Sequence, residues 1–381
     1  MRLILNGRFL LQDVTGVQKV AIEFVSALDT LLAEGEYPGL EVDLVAPAKG
    51  RLVSTLTLKA VRLRRVGRLS GHAWEQLELP ALVGSAPLLC LGNLAPVALL
   101  LRPRARVYTM VHDLSYKYFP SAYSRSFRAV YNAVVPIVLA RSRRVFTVSL
   151  SEATAVQSRY GRLIGPDRLV AAQNGGGEGA AAARVADTPG SRDAGAPDVP
   201  SRTARERRCL YVGSLTRRKN AEGLARTAVE LVRDGDMEFV FVGATGSSFE
   251  QIGLDVSPEL ADRIHFRGQI NDADEIEAEY RRASVFVFPS FYEASPLPPV
   301  EAMSCGCPVI AADIPSLRER CGEAALYCDP ADVDSIVGQV RLAMGNADVW
   351  QELQHRGLER AARFSWQSQV RAVLDCIEQT T

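Results

Sequence analysis

The sequence of 381 residues lacks the features that mark several classes of protein. Its 44 basic and 44 acidic residues leave no net charge, so bulk attraction would not hold it on nucleic acid, and we expect no nucleic-acid partner. Only seven cysteines are present, without the spacing of a disulfide framework, which indicates reduced and mostly buried thiols. Cys305 and Cys307 have no second cysteine pair or histidine cluster beside them, so we expect no zinc site. A hydrophobic content of 47% excludes collagen-like and wholly disordered chains.

Uninterrupted hydrophobic runs of the length of a membrane span are also lacking. The N-terminal apolar run is short and carries Arg2 and Arg8, unlike a signal peptide. Residues 79–101 contain no charged side chain, but Pro80, Pro87 and Pro96 interrupt them. Such breakers are typical of buried strands and turns, so we expect no transmembrane helix.

The zero net charge hides an uneven distribution along the chain. Residues 1–174 contain 22 Lys and Arg against 12 Asp and Glu, a balance of +10, and the remaining residues contain 22 against 32, a balance of −10. A basic half and an acidic half indicate two bodies with different partners.

Short apolar runs alternate with helical patterns in both halves, which predicts parallel sheets wound on both faces by helices. Helices are predicted at residues 16–27, 72–83 and 121–140. The predicted strands are residues 2–5, 41–46, 88–91, 107–111, 144–148 and 169–172 in the first half, and 209–212, 238–242, 264–266, 285–288, 309–311 and 325–327 in the second.

The composition changes between the two series. From Gly175 to about Arg208 the chain has no apolar periodicity and little to bury, which predicts a flexible linker. We therefore expect an N-terminal Rossmann-like domain at residues 1–174, a linker at 175–208, a C-terminal Rossmann-like domain at 209–364 and a helix at 365–381 that crosses back to the N-terminal domain.

Two glutamates, Glu293 and Glu301, follow the predicted strand 285–288 and precede or open a helix that begins near Pro298 and Pro299. Ligands of doubly wound sheets bind beyond the carboxyl ends of the strands, so both carboxylates would lie at the site. Carboxylate oxygens suit a ligand with many hydroxyl groups, because they accept hydrogen bonds without competing for donors. Acids that merely cap a positive helix end remain the alternative.

A cationic segment follows the first strand of the second half. After the turn at Gly213 and Ser214 come Arg217, Arg218 and Lys219, just before a predicted helix. Lys219 is the only one of the chain's five lysines beyond Lys117. Positive charge at a helix start is what a diphosphate requires, although a solvated basic loop is the alternative.

These motifs occur in the order typical of one family. Over essentially its whole length the chain resembles the retaining glycosyltransferases of family 4, and this resemblance implies the α/β GT-B fold of two facing Rossmann-like domains with a cleft between them. The matching segments are residues 6–8, 15–17, 111–113, 147–149, 174–175, 211–215, 217–220, 288–303, 306–310 and 364–366.

The resemblance also implies roles for single residues. Glu293 matches the glutamate that holds hydroxyls of the donor sugar, and Glu301 the one that holds the ribose of the nucleotide. Lys219 matches the family's diphosphate lysine, and of the two arginines we favour Arg218 over Arg217 as its assistant.

Further roles fall in the first half. His112 resembles a histidine beside the transferred sugar, with a structural histidine as the alternative. Arg8 and Asp113 are assigned to the acceptor, although Asp113 could instead orient the imidazole ring. The predicted catalytic residues are His112, Lys219 and Glu293, and the predicted donor-binding residues are Gly16, Gly213, Ser214, Arg218, Lys219, Glu293, Ser295, Pro296, Leu297 and Glu301.

The chain departs from the family between the two glutamates. The family commonly has Gly-Phe-Gly where this sequence has Ala294, Ser295 and Pro296. Pro296 has no amide hydrogen to donate, so the sugar contacts there, and with them the identity of the sugar, are less determined than the nucleotide contacts.

The resemblance implies transfer of a hexose, with mannose from GDP-mannose favoured, to a lipid-linked or growing glycan in bacterial surface polysaccharide or O-antigen synthesis. The nucleotide sugar is a substrate, and we expect no cofactor and no divalent metal, because no Asp-x-Asp pair stands at a strand end. Alternatives are a sugar-nucleotide 2-epimerase of the same fold and a non-catalytic sugar-nucleotide-binding partner.

The arginines of the first half suggest where the protein acts. Basic faces attract anionic head groups, so we expect a cytoplasmic protein in peripheral contact with the anionic inner face of the plasma membrane. A solvated arginine face is the alternative. The arginines concerned are Arg62, Arg64, Arg65 and Arg68, and Arg102, Arg104 and Arg106.

Overall fold

The computed structural model describes residues 1–176, 199–233, 235, 237–243 and 257–380. The chain divides into two compact units, the first made of Met1–Asn174 with Trp366–Thr381 and the second of Gly175–Ser365. Most of the predicted linker, residues 177–198, lies outside the described residues.

A parallel sheet forms the centre of the first unit. Its strands are β1 (Arg2–Asn6), β2 (Glu41–Pro47), β3 (Arg62–Val66), β4 (Leu88–Cys90), β5 (Val107–Val111), β6 (Arg144–Thr147) and β7 (Leu169–Ala171). In the described residues they are ordered β3-β2-β1-β4-β5-β6-β7. The strand order reverses between β1 and β4, so the loops after these strands are where a doubly wound sheet places a ligand.

Helices connect these strands. They are α1 (Gly16–Ala33), α2 (Gly71–Ala73), α3 (Leu79–Val83), α4 (Val97–Leu100), α5 (Ser115–Tyr118), α6 (Arg125–Arg141) and α7 (Leu150–Tyr160). Their packing against the sheet buries apolar side chains such as Phe24, Leu28 and Leu139 completely.

The helix predictions need three corrections in the first unit. Helix α1 continues past residue 27 to Ala33, and α6 begins at Arg125 because the Ser124 hydroxyl accepts from the Phe127 amide and caps it there. The predicted helix 72–83 is divided: a wide π-helical turn, Trp74–Glu78, separates α2 from α3.

Strand β3 was not predicted, and it contains part of the first arginine group. On this strand Arg62 pairs with Glu41 at 2.7 Å and with Asp43 at 3.0 Å, and Arg64 lies 3.4 Å from Asp43. The Arg65 guanidinium donates to backbone carbonyls of residues 47, 48 and 50. Three arginines of this group therefore have partners within the protein, and contact of the group with a membrane stays a prediction.

The second unit also has a parallel sheet. Its strands are β8 (Glu206–Val212), β9 (Glu238–Val242), β10 (Ile264–Phe266), β11 (Ala283–Phe288), β12 (Val309–Ala312) and β13 (Ala325–Cys328). In the part of the chain that is described they are ordered β10-β9-β8-β11-β12-β13. The two parallel α/β sheets confirm the predicted fold class, and β8 and β11 flank the point where the order reverses.

The helices of the second unit follow the same alternation. They are α8 (Ala221–Arg233), α9 (Pro258–Ala261), α10 (Ala273–Arg282), α11 (Pro298–Ser304), α12 (Pro315–Cys321), α13 (Val333–Gly345) and α14 (Ala347–Ala361).

The end of the predicted linker is structured. Strand β8 begins at Glu206, three residues before the predicted start. Ahead of it the Arg205 side chain is buried, and its guanidinium donates to the carbonyls of Tyr280, Arg281, Ala283 and Cys305 at 2.7–2.9 Å. One arginine thus anchors this segment to the second unit, which a composition argument would not reveal.

The last helix, α15 (Trp366–Glu378), belongs to the first unit, where it packs on α1. The buried Gln369 amide donates to the Ala172 carbonyl at 3.1 Å and to the Asn174 side chain at 2.8 Å. Its apolar face, which includes Leu374, is buried.

The described cysteines form no disulfide, and all but the half-buried Cys376 are buried. Among the described helices, none combines the length and the apolar character needed to cross a bilayer.

The packing of α15 can be tested by truncating one side chain. Leu374→Ala should destabilise the protein by about 2–5 kcal/mol, because it removes a fully buried side chain and leaves a cavity. Glu378→Ala on the exposed face of the same helix is the control and should change stability by less than about 0.5 kcal/mol. Urea unfolding followed by circular dichroism measures both, and equal effects would contradict this packing.

Candidate functional site

The loop after β8 brings the backbone close to a cationic side chain. The Tyr211 hydroxyl, buried at the end of this strand, donates to the Ser214 carbonyl at 3.0 Å. A Cβ atom on Gly213 would lie 2.8 Å from the Tyr211 hydroxyl and 3.4 Å from Lys219 Nζ. Glycine is therefore required here by close packing, and Gly213 lies beside Lys219.

A short 3-10 turn, Arg217–Lys219, presents the cations, and Asn220 fixes its end. Asn220 has a left-handed φ of +61°, which asparagine tolerates better than most residues. Its side-chain amide donates to the Pro330 carbonyl at 2.6 Å and accepts from the Gly223 amide at 3.2 Å. The turn is thus held before α8 begins.

The carboxylate of Glu293 meets both predicted cations. Its Oε1 lies 3.1 Å from Lys219 Nζ, and its Oε2 lies 3.1 Å from a terminal nitrogen of Arg218. The Glu293 side chain is only 10% exposed. Burial opposes ionisation, but the charges of Lys219 and Arg218 outweigh it and hold the pKa of Glu293 below its usual value. The carboxylate is therefore ionised at neutral pH.

Arg218, rather than Arg217, belongs to this cluster. The Arg218 guanidinium also donates to the Tyr292 carbonyl at 2.7 Å, and the Arg218 carbonyl accepts from the Phe291 amide at 3.0 Å. These bonds join the loop after β8 to the loop after β11, whereas the Arg217 side chain is exposed. The favoured choice between the two arginines agrees with this geometry.

Glu301 lies one turn into α11, and Leu297 stands directly before that helix. The buried Tyr280 hydroxyl donates to Glu301 Oε2 at 3.0 Å. Burial and the charge of Glu301 raise the pKa of Tyr280, so its hydroxyl stays protonated and remains a donor. This contact orients one oxygen of the second predicted carboxylate.

The loop between the two glutamates is held from behind by Arg320. Its guanidinium, which is fully buried against the Phe364 ring, donates to the Pro296 carbonyl at 3.3 Å and to the Gly175 carbonyl at 2.7 Å. Burial lowers the pKa of Arg320 to about 10, so it remains charged at neutral pH. In the same loop the buried Ser295 hydroxyl has no hydrogen-bond partner among the described residues.

His112 follows β5 in the first unit and is buried. Its Nε2 lies 2.9 Å from the Leu91 carbonyl, and its backbone amide donates to the Asn93 side chain at 2.6 Å. Since a carbonyl accepts, Nε2 carries the proton. Burial lowers the pKa of His112, which leaves the ring neutral with Nδ1 as its acceptor.

The other predicted residues of the first unit have separate partners. Gly16 opens α1 and is exposed, and a Cβ atom added there would meet no other atom within 4 Å. Asp113 accepts from the Ser115 amide at 2.9 Å, in a local turn directly before α5. Arg8 lies in the loop after β1, where its Nε is 3.3 Å from a carboxylate oxygen of Glu75.

The sequence reasoning missed three of these side chains, namely Glu75, Tyr280 and Arg320. The only sequence feature that pointed to Glu75 was the position of this charged residue directly after Trp74 in a predicted helix. Nothing in the sequence distinguishes Arg320 from the exposed Arg318 two residues earlier.

The ion-pair cluster makes a prediction about anion binding. Glu293→Gln should raise the affinity for inorganic pyrophosphate by about tenfold or more, because Arg218 and Lys219 no longer share their charge with a carboxylate and a charge-assisted pair contributes about 1.5–3 kcal/mol. Isothermal titration calorimetry measures the change, and Glu222→Gln, at an exposed position of α8, is the matched control. Unchanged or weaker binding by Glu293→Gln would contradict the assignment.

Comparison with known proteins relates this arrangement to a family. Residues 206–346, which contain the Arg218, Lys219, Glu293 and Glu301 side chains, match the family model of Glycosyl transferases group 1. The chain is 36% identical over 166 residues to the O-antigen chain mannosyltransferase B of Escherichia coli, a match that covers 42% of each protein. It is 23% identical over 348 residues to the O-antigen chain mannosyltransferase RfbU of Salmonella typhimurium strain LT2, covering 87% of this chain and 88% of that one.

Solved structures agree on the fold. Sucrose-phosphate synthase from Thermosynechococcus elongatus superposes with a TM-score of 0.72 over 99% of this chain and 98% of its own, at 19% identity. At that identity the likeness shows the two-domain GT-B fold alone. The comparisons thus relate residues 206–346 to the glycosyl transferases group 1 and the whole chain to the GT-B fold.

Proposed function

We propose that the protein is a retaining glycosyltransferase that moves a hexose, with mannose favoured, from a nucleotide diphosphate sugar to a lipid-linked or growing glycan in bacterial surface polysaccharide synthesis. The observation that carries this proposal is the cluster of Arg218, Lys219 and Glu293 at the carboxyl ends of β8 and β11. It combines two cations for a diphosphate with a carboxylate for sugar hydroxyls.

The cluster suits binding and departure of a diphosphate. In the free protein Lys219 and Arg218 pair with the negative charge of Glu293. A bound diphosphate replaces Glu293 as their negatively charged partner. The released carboxylate then accepts hydrogen bonds from sugar hydroxyls, which are donors. When the bond to the sugar breaks, charge develops on the diphosphate, and cations already in place stabilise it without reorganisation.

No divalent metal is needed in this scheme, because the two side-chain cations provide the countercharge. We propose that the acceptor hydroxyl attacks from the same face as the leaving diphosphate and passes its proton to the departing diphosphate oxygen, so that the bond from the sugar to the diphosphate is replaced by one to the acceptor with the configuration retained. The transition state resembles an oxocarbenium ion, as in glycoside cleavage. Glu301, oriented by Tyr280, holds the ribose hydroxyls of the nucleotide.

His112 is proposed as a catalytic residue on the basis of its protonation state. Its Nε2 hydrogen is committed to the Leu91 carbonyl, so Nδ1 is fixed as an acceptor. A neutral imidazole in this tautomer accepts a hydrogen bond from a sugar hydroxyl and adds no repulsive charge to the developing oxocarbenium ion.

Mannose and a surface-polysaccharide acceptor are favoured because the two relatives reported above are named O-antigen chain mannosyltransferases. GDP-mannose is the favoured donor. A lipid-linked acceptor would place the protein at the inner face of the plasma membrane, in the cytoplasm. Both arginine groups of the first unit are proposed for contact with anionic lipid, namely Arg62, Arg64, Arg65 and Arg68, and Arg102, Arg104 and Arg106.

Single substitutions in the cluster test the proposed chemistry. Lys219→Ala and Glu293→Ala should each lose most of the transferase turnover while the protein stays folded, because the leaving group or the sugar loses its partner. Arg217→Ala, in the same turn but exposed, is the control and should keep its activity. Turnover is measured as nucleoside diphosphate released in the presence of acceptor, and full activity in either cluster variant would overturn the site assignment.

A panel of nucleotide sugars identifies the donor. GDP-mannose should raise the melting temperature more than other nucleotide sugars do, since binding to the native state stabilises it in proportion to affinity. The Lys219→Ala variant should lose this stabilisation. Conversion of a nucleotide sugar without acceptor would indicate the 2-epimerase instead, and tight binding without transfer to any lipid-linked glycan would indicate a non-catalytic partner.

A further inference from the structure

The first unit contains a second buried ion pair, at the carboxyl end of β1. Glu75, in the wide turn Trp74–Glu78, is only 1% exposed. Its Oε1 accepts from the Asn6 side-chain amide at 2.6 Å and lies 3.3 Å from Arg8 Nε, and its Oε2 lies 3.0 Å from His72 Nδ1. A π-helical turn is uncommon and frequently marks a functional position.

Glu75 is held as a carboxylate. Burial opposes its ionisation, but the hydrogen bond to His72, the charge of Arg8 and the hydrogen bond from Asn6 together lower its pKa. Asn6 ends β1, and its amide also lies 3.8 Å from the Cys90 sulfur at the end of β4. The pair therefore stands between the two strands at which the sheet order reverses.

The Arg8 guanidinium lies against Glu75 on its Nε side, whereas its terminal nitrogens are accessible to a ligand. Its side chain is 15% exposed, and its Nε is buried 3.3 Å from Glu75 Oε1, an ion-pair contact without a hydrogen bond. The two terminal nitrogens are not buried and have no partner among the described residues. A guanidinium held on its Nε side by the charge of Glu75 presents these two nitrogens as a parallel pair of donors, the geometry that binds a phosphate or carboxylate through two hydrogen bonds.

A neighbouring phenol, Tyr131, is hydrogen-bonded to the Asn93 side chain and is neutral. Tyr131 on α6 interacts electrostatically with Arg8 and Asp113, and burial raises its pKa to about 12. Its hydroxyl is therefore protonated and contributes no negative charge next to Arg8. Its ring is fixed by stacking on Phe127, with centroids 4.0 Å apart.

We infer that Glu75 is a positioning residue that fixes the guanidinium of Arg8, and that Arg8 binds a phosphate ester of the acceptor through its two terminal nitrogens. This inference rests on the proposed function, since it names the anionic group by which the glycan acceptor is recognised. The nucleotide diphosphate is a second source of the same chemistry, so the experiment must separate the two.

The first arm of the test uses transfer kinetics. Glu75→Gln and Arg8→Gln should each raise the KM for the acceptor by about tenfold or more, with little change in the KM for the donor. The double variant should be no worse than Arg8→Gln alone, because Glu75 acts through Arg8. Glu78→Gln is the control for disturbance of the segment. Glu78 is three residues from Glu75 in the same turn and accepts hydrogen bonds from the backbone amides of residues 68 and 69.

The positioning role would be overturned if the two substitutions raised the acceptor KM additively in the double variant. It would also be overturned if the KM for the donor rose as much as the KM for the acceptor. Arg8→Gln removes a partly exposed side chain and keeps the test available if Glu75→Gln does not fold. Melting curves of the free variants show which of them are folded.

The second arm needs no transferase activity, so its result stands even if the proposed function fails. In the Arg218→Ala/Lys219→Ala background, calorimetry should still detect weak binding of inorganic pyrophosphate to the full chain, and adding Arg8→Gln should abolish it. Replacing the exposed Arg51 by Gln in the same background should leave it unchanged. Binding that does not depend on Arg8, or no residual binding at all, would overturn the anion site.

Discussion

The site of the second unit depends on the balance of charge among Lys219, Arg218 and one largely buried carboxylate, Glu293. A charge removed from water is costly unless it is paired, and removing one partner of a buried pair costs about 3–5 kcal/mol. The free protein satisfies this constraint internally. Under the proposed function, a ligand that supplies a diphosphate and hydroxyl groups would satisfy it equally well, so the same three side chains would serve stability in one state and recognition in the other.

The rest of the local structure serves to hold these side chains at one edge of the sheet. Parallel strands β8 and β11 bring their carboxyl ends together, Gly213 admits Lys219 close to the backbone, and Asn220 ends the cationic turn. In the first unit the same physical rule holds for Arg8 and Glu75, which are paired beside the ends of β1 and β4. Each unit thus has its own buried ion pair at the switch point of its sheet.

Much of this could be predicted from the sequence, since strand ends in an alternating α/β pattern place Glu293 near Lys219 although 74 positions separate them. Other features depend on partners that periodicity does not reveal. In the sequence Glu75 resembles a surface charge, but the π-helical turn buries it. Arg64 on β3 pairs with Asp43 of β2, a partner that the sequence pattern does not indicate. The extended start of β8 depends on Arg205 and the carbonyls it binds, which are distant in sequence.

The most direct test of the central claim is a crystal structure of the full chain with GDP-mannose bound. The account predicts that Lys219 Nζ and the Arg218 guanidinium leave Glu293 and lie within about 3 Å of diphosphate oxygens, while the Glu293 carboxylate accepts from hydroxyls of the sugar. A bound nucleotide sugar whose diphosphate lies away from both cations, with the ion pairs to Glu293 intact, would contradict it.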